Sequence, residues 1–223
     1  MVRTTRVKAN LDRLLDRPSG YSSGKDDGVE GGGVGNLAQD VSYLWRAIPA
    51  PVIASLHGAC FGGGLQIALG ADLRFSTPDC KISIMEGKYG LIPDMSASIT
   101  LRELIRMDVA KELTMTGRVI SGEEAATLGL VTRCITDPME ESLRVAREIR
   151  ERSPDAVASA KRMFQETWTE SDEEKCLRRE TELQLPLLAS WNQMAAAGRG
   201  VLGVRVPYGK RRDVTELEGG ESR

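Results

Sequence analysis

PVIASLHGACFGGGLQIALGADLRFS, residues 51–76, reads as a strand, a glycine turn, a helix and a second strand in quick succession. Val52-Ile53-Ala54-Ser55-Leu56 is short, apolar and β-branched at its start, the pattern of a buried strand. Residues 58–64 read as a glycine-rich turn closed by Gly62-Gly63-Gly64. Residues 65–71 are apolar enough for a short buried helix, and Leu73-Arg74-Phe75-Ser76 reads as the next strand. Successive glycines let the backbone take positive φ and let another molecule approach the main chain. The helix that follows leaves its first N–H groups unpaired, beside the positive end of its dipole. That suits an anion or a developing oxyanion. Equally, it suits a tight turn with close helix–strand packing.

Other glycine motifs fail here. A P-loop needs a Lys followed by Ser or Thr after its last glycine, and none follows. A dinucleotide fingerprint started at Gly62 would need glycine where Ile67 stands. No G-x-S-x-G elbow occurs in the stretch.

Upstream, Leu37, Val41, Leu44 and Trp45 recur at helical spacing, and Pro49 and Pro51 end that helix. Before it, residues 1–17 suggest a short amphipathic helix around Leu11, Leu14 and Leu15, and residues 18–35 read as a Gly- and Ser-rich loop. Downstream, residues 81–84 predict a third strand. A helix follows Pro93 with Leu101, Leu104 and Ile105 as its packed face. Ser121 and Glu124 predict a capping box on the next helix, which Gly129 closes. Residues 131–135 read as a strand. Long helices are predicted from Asp137-Pro138 to about Arg152, from Ser153-Pro154 to about Thr167, and from Glu173 to Ala197. From Gly198 the tail reads as irregular and basic, with Lys210-Arg211-Arg212 near its end. Strands alternating with helices predict an α/β core with a helical last third.

Composition narrows the function classes. The 223 residues carry a net charge of −2, with 4% aromatics, so neither a basic nucleic-acid surface nor base-stacking platforms are implied. Four scattered cysteines without a C-x-x-C pair, and one histidine, predict no disulfide framework and no metal site. No apolar run reaches the ~20 residues of a membrane span. Reduced thiols point to a cytoplasmic protein, with mitochondrial or peroxisomal placement as the alternative in a eukaryote. The lone His57 and the tryptophans Trp45, Trp168 and Trp191 read as packed residues. Cys60 has no second histidine to activate it as a nucleophile.

The run from Ile48 to Gly64, followed by Ala71-Asp72-Leu73-Arg74, resembles the central signature of the crotonase family. Gly90-Leu91-Ile92-Pro93-Asp94, the stretch from Ala110 to Arg118 and AATLGLV from Ala125 continue the likeness in order, from about Asn36 to Arg162. The resemblance implies repeated β-β-α turns wound into a superhelix, with a C-terminal helical trimerisation region. It divides the chain into an irregular segment 1–35, an N-terminally incomplete α/β core 36–135, and a helical region with basic tail 136–223. It also implies an acyl-CoA thioester substrate, coenzyme A entering as part of the substrate, with no other cofactor. The expected assembly is a homotrimer or a dimer of trimers, with no membrane span and no nucleic acid.

By that resemblance Gly62 and Gly63 bind substrate, and the Gly63 N–H is one of two donors to the thioester oxygen. Glu86 matches an acid/base carboxylate. Gln66 stands where hydratases carry a second glutamate. A carboxamide cannot move a proton, though it can orient water or substrate. Asp94 matches a second carboxylate of dienoyl isomerases, and a turn or cap role is as natural for it after Pro93. No segment like F-x-x-G-x-D, which brings the other oxyanion donor, precedes Asn36. The chain is therefore expected to lack the N-terminal part of the domain. The implied activity is an enoyl-CoA isomerase or hydratase. The alternative is a catalytically weak acyl-CoA-binding or oligomer subunit.

Overall fold

The computed structural model describes residues 35–203 and 206–212. The amphipathic helix and glycine-rich loop expected before residue 35 lie outside the described residues. The described chain falls into two compact units: residues up to Ala47 with Ala54–Thr136, and Ile48–Ile53 with residues from Asp137 onward.

In the first unit, α1 (Leu37–Tyr43) is capped by Asn36, whose side chain accepts from Gln39 N while Gln39 returns a bond to the Asn36 N–H. Its inward side is unexpected. Leu37, Val41, Leu44 and Trp45 are exposed, whereas Ser42 is fully buried. Apolar spacing located the helix but not its packed face. The reason is proximity: Ser42 O lies only 2.1 Å from where a β-carbon on Gly70 would stand. The two backbones touch there, leaving no room for a large side chain.

Two β-β-α turns follow. The first is β1 (Ile53–Leu56), β2 (Ala59–Phe61) and α2 (Gly63–Leu69). The second is β3 (Leu73–Ser76), β4 (Lys81–Ser83), a 3-10 turn (Glu86–Tyr89) and α3 (Ala97–Leu104). Each turn places its first strand in one sheet and its second in another. The three-stranded sheet has the order β1-β3-β5, with β5 at Arg133–Cys134, and β2 pairs with β4. The β2–β4 pairing is parallel, with Cys60 opposite Ile82, and β3–β5 is parallel with Phe75 opposite Arg133. Strand β2 corrects the sequence reading of residues 58–64 as turn alone. Three residues rich in Ala and Cys carry too little β-branching to announce a strand.

Helices α4 (Met107–Thr116) and α5 (Gly122–Leu128) complete the unit. Ser121 caps α5 by accepting from Glu124 N, but the Glu124 carboxylate accepts from Arg118 Nη1 at 2.6 Å, so ion pairing takes the oxygen expected in a capping box. Leu65, Leu69, Ile82, Leu113 and Leu130 form the buried core between these elements. Arg74 crosses that core. Its Nε donates to Leu130 O at 2.8 Å and its Nη1 to Ala71 O at 2.5 Å, tying the end of α2 to the segment before β5. Burial lowers its pKa to about 10, opposed by Asp72, so it stays charged at neutral pH.

The second unit holds α6 (Pro138–Arg150), α7 (Pro154–Thr167), α8 (Glu173–Gln184) and α9 (Trp191–Leu202). The single helix expected over 173–197 is broken. Pro186 sits in a 3-10 turn, Leu185–Leu187, and Ala189 takes φ 56° before α9 starts. The helix then runs past Gly198, where an irregular tail was expected. Asp155, buried on α7, accepts from Asn192 Nδ2 and from the Arg212 N–H, each at 2.9 Å. The basic end is thus partly pinned: Arg212 is held, while Lys210 and Arg211 are exposed. Trp45, Trp168 and Trp191 are exposed rather than packed.

Candidate active site

Gly62 sits at the junction of β2 and α2 with φ 51° and ψ −123°, a backbone that side chains strain to adopt. Its N–H donates to Ser83 O on β4 at 3.0 Å, fixing the turn against the neighbouring strand. The Gly63 N–H is the first of α2 and has no partner among the described residues. A β-carbon on Gly63 would meet Met95 Sδ at 3.1 Å, and one on Gly62 would meet Glu86 Oε1 at 3.3 Å. Gly62 and the Glu86 side chain therefore lie side by side, with no room to spare for a β-carbon between them, although 20-odd residues separate them in sequence.

Gln66, on the first turns of α2, is 2% exposed. Its Oε1 accepts from the Met95 N–H at 2.7 Å, and its Nε2 donates to Glu86 Oε1 at 2.6 Å. The orientation follows from chemistry. Met95 N–H can only donate and an ionised carboxylate can only accept, so the amide has one satisfactory rotamer. One glutamine clasps both ends of the segment from Glu86 to Met95. The other carboxylate oxygen, Glu86 Oε2, is buried and has no partner among the described residues. A buried acceptor without a donor costs roughly 1–3 kcal/mol, so it marks a place where a ligand hydrogen or water belongs.

The structure thus brings Gly62, Gly63, Gln66 and Glu86 together. Asp94 is exposed, one residue before the clasped Met95, and makes no hydrogen bond among the described residues. His57 is exposed at the end of β1, not packed. Sequence reasoning passed over Ser42, Met95 and Ser96. Ser96 holds φ 62°, uncommon for a residue other than glycine, and no sequence pattern announces it. Among the described residues no three His, Cys, Asp or Glu side chains form a group able to hold a metal ion. No helix there is long and apolar enough to cross a membrane.

Cys60 lies on β2 close to the glycine turn but is built against reactivity. Burial, with the Cys80 thiol beside it, pushes its pKa from 9.0 up to about 11, which lowers the thiolate fraction about a hundredfold at neutral pH. Native-state alkylation at pH 8 is expected to leave Cys60 unmodified long after an exposed thiol reacts, as read by mass spectrometry of the digested protein. Labelling of Cys60 at the rate of a free thiol would show that β2 opens.

The two interleaved sheets and the glycine-lined strand–helix junction define a crotonase fold. The crystal structure of an enoyl-CoA hydratase from Polaromonas sp. JS666 matches at TM-score 0.69 and 28% identity, covering 74% of this chain and 65% of that one. That of an enoyl-CoA hydratase from Bacillus anthracis matches at TM-score 0.72 and 25% identity, covering 77% and 67%. The family model described as Enoyl-CoA hydratase/isomerase matches residues 21–196, and the chain belongs to that family. Among curated relatives, "Probable enoyl-CoA hydratase 2, mitochondrial" of Arabidopsis thaliana is 37% identical over 135 residues, 60% of this chain and 44% of that protein. Carnitinyl-CoA dehydratase of Salmonella typhi is 34% identical over 119 residues, 52% of this chain and 46% of that protein. The chain spans about half the length of the curated relatives it matches.

Proposed function

We propose that this chain handles an enoyl-CoA thioester with a single working carboxylate, and that its reaction is double-bond isomerisation rather than hydration. The observation that carries this is the state of Glu86. One oxygen, Oε1, is occupied by Gln66 Nε2, and the other, Oε2, is buried and unpartnered; the carboxylate they share lies beside Gly62. Glu86 Oε2 takes the α-proton of a 3-enoyl thioester. The electron pair moves through the C–C bond onto the thioester oxygen, which the Gly63 N–H meets as an oxyanion. A preorganised donor of this kind contributes roughly 3 kcal/mol to the transition state. The same carboxyl then returns the proton to the γ-carbon, leaving the conjugated 2-enoyl thioester. Addition of water would need a second proton-transfer group to activate it, and Gln66 offers only a carboxamide, which cannot take up a proton. Asp94, exposed one residue before Met95, would assist from outside the group of Gly62, Gly63, Gln66 and Glu86.

The chemistry calls for no metal or redox cofactor beyond the CoA carried by the substrate. The assembly proposed with it is a homotrimer, or a dimer of trimers, in the cytoplasm. Support for self-association comes from exposed apolar residues on the second unit, among them Leu177, Leu185 and Trp191. The compartment rests only on four free thiols, and the Arabidopsis relative's name keeps mitochondria as the alternative.

The test is conjugation absorbance on mixing the purified protein with a 3-enoyl-CoA, with hydration of a 2-enoyl-CoA followed in parallel. Growth of the conjugated product, with hydration far slower, supports isomerisation. Faster hydration overturns it. Binding of the thioester without turnover of either substrate assigns the chain to the acyl-CoA-binding subunit class instead.

A further inference from the structure

Around Gln66 the hydrogen bonds close into a ring. Ser96 Oγ donates to Ser42 Oγ at 3.0 Å, and Ser42 Oγ donates to Gln66 O at 2.6 Å. From the Gln66 main chain the path runs out along its side chain to Oε1, which accepts from Met95 N at 2.7 Å. One peptide bond from Met95 returns to Ser96. The donor directions are forced. The Gln66 carbonyl can only accept, so the Ser42 hydroxyl spends its hydrogen there and must accept from Ser96. Ser42, Gln66 and Ser96 are all buried, so no solvent competes with these bonds. The donor that leaves the ring toward the carboxylate is Gln66 Nε2, and its target is Glu86 Oε1.

We propose that Ser42 and Ser96 are positioning residues for Glu86, acting through Gln66. This rests on the reading of Glu86 as the base. The ring pins both the backbone and the amide of Gln66, so that its NH2 group and not its oxygen faces the carboxylate. With Oε1 held, the carboxylate is fixed beside Gly62 and its unpartnered Oε2 is left available in one orientation. The left-handed backbone of Ser96 belongs to the same device. The turn carries the Met95 N–H toward Gln66 and the Ser96 hydroxyl toward Ser42 from adjacent positions. Hydrophobic packing could hold α1 against α2 and α3 without hydroxyls. Here three polar side chains sit in the contact, and their chain of bonds leads to Gln66, the residue that touches Glu86.

The test is Ser42→Ala, which removes the central hydroxyl and leaves Glu86, Gln66 and the glycines untouched. Two readouts are taken on the full chain. The first needs no turnover: hydrogen exchange of the Met95 amide and of the Gln66 side-chain NH2, followed by 15N-resolved NMR. The second is the kcat and KM for a 3-enoyl-CoA. We expect both exchange rates to rise at least tenfold. We expect kcat to fall by about tenfold to a hundredfold, as misplacement of a reacting group does, with KM within about twofold. A folded Ser42→Ala protein with parental exchange and parental kcat overturns the proposal. Raised exchange in a protein that turns over no thioester, parent included, leaves the ring standing and sinks the isomerase reading instead. If Ser42→Ala does not fold, Ser96→Gly replaces it. Glycine relieves the positive φ while deleting the hydroxyl, and the same shifts are expected; unchanged exchange and kcat there overturn the proposal equally.

Discussion

Glu86→Gln is expected to lower turnover of a 3-enoyl-CoA by roughly 10³-fold while leaving the fold and thioester binding intact. The substitution is close to isosteric, and its carbonyl oxygen can still accept from Gln66 Nε2, so the clasp across the Glu86–Met95 segment survives. What disappears is the basic character of the unpartnered second oxygen. The loss should therefore appear in kcat, with KM little changed, because the group acts on a proton and not on the coenzyme. Thermal melting within a degree or two of the parent, measured alongside, separates chemistry from stability. Retention of more than a tenth of parental kcat would remove Glu86 from the reaction and leave the site without a base.

Gly70→Ala should lower stability sharply. A β-carbon at Gly70 would lie 2.1 Å from Ser42 O and 3.0 Å from Ser42 Oγ. Real β-carbons do not approach backbone oxygen so closely, and a carbonyl in the last turn of a helix cannot rotate away. Either α1 lifts off α2 or the end of α2 unwinds. Overpacking of this kind costs about 3 kcal/mol, at the upper end of the usual range. For a chain of this size that lowers Tm by about 6–12 °C. Gly122→Ala makes a useful counterpart, since its β-carbon would lie 2.0 Å from Thr77 O, away from the Gln66 ring. Both variants should melt early. Only Gly70→Ala disturbs Ser42, so among surviving folded protein only it should show the reduced kcat of a loosened Gln66. Parental melting of Gly70→Ala would mean that α1 is not held against α2 as described.

The sequence by itself determined the local elements that chemistry marks strongly. A β-branched start, the Gly62-Gly63-Gly64 triplet and an apolar run placed β1 and α2. Ser153-Pro154 and Asp137-Pro138 placed two helix starts, because a capping side chain and proline act within one turn of the chain. The ordered resemblance supplied the family and put Glu86 and Gln66 on the page. Tertiary structure decided the rest, because each remaining feature depends on residues far apart in the chain. Strand β2 exists only because β4 lies beside it, and three residues of alanine, cysteine and phenylalanine do not specify that partner. The inward face of α1 is a serine because Gly70 admits the helix backbone itself, overriding its apolar stripe. The orientation of the Gln66 amide, which leaves Glu86 one free oxygen, depends on a backbone N–H 29 residues away and a left-handed serine beside it. Hydrogen bonds between such distant groups have no periodicity to betray them, so only the folded chain reveals what Glu86 faces.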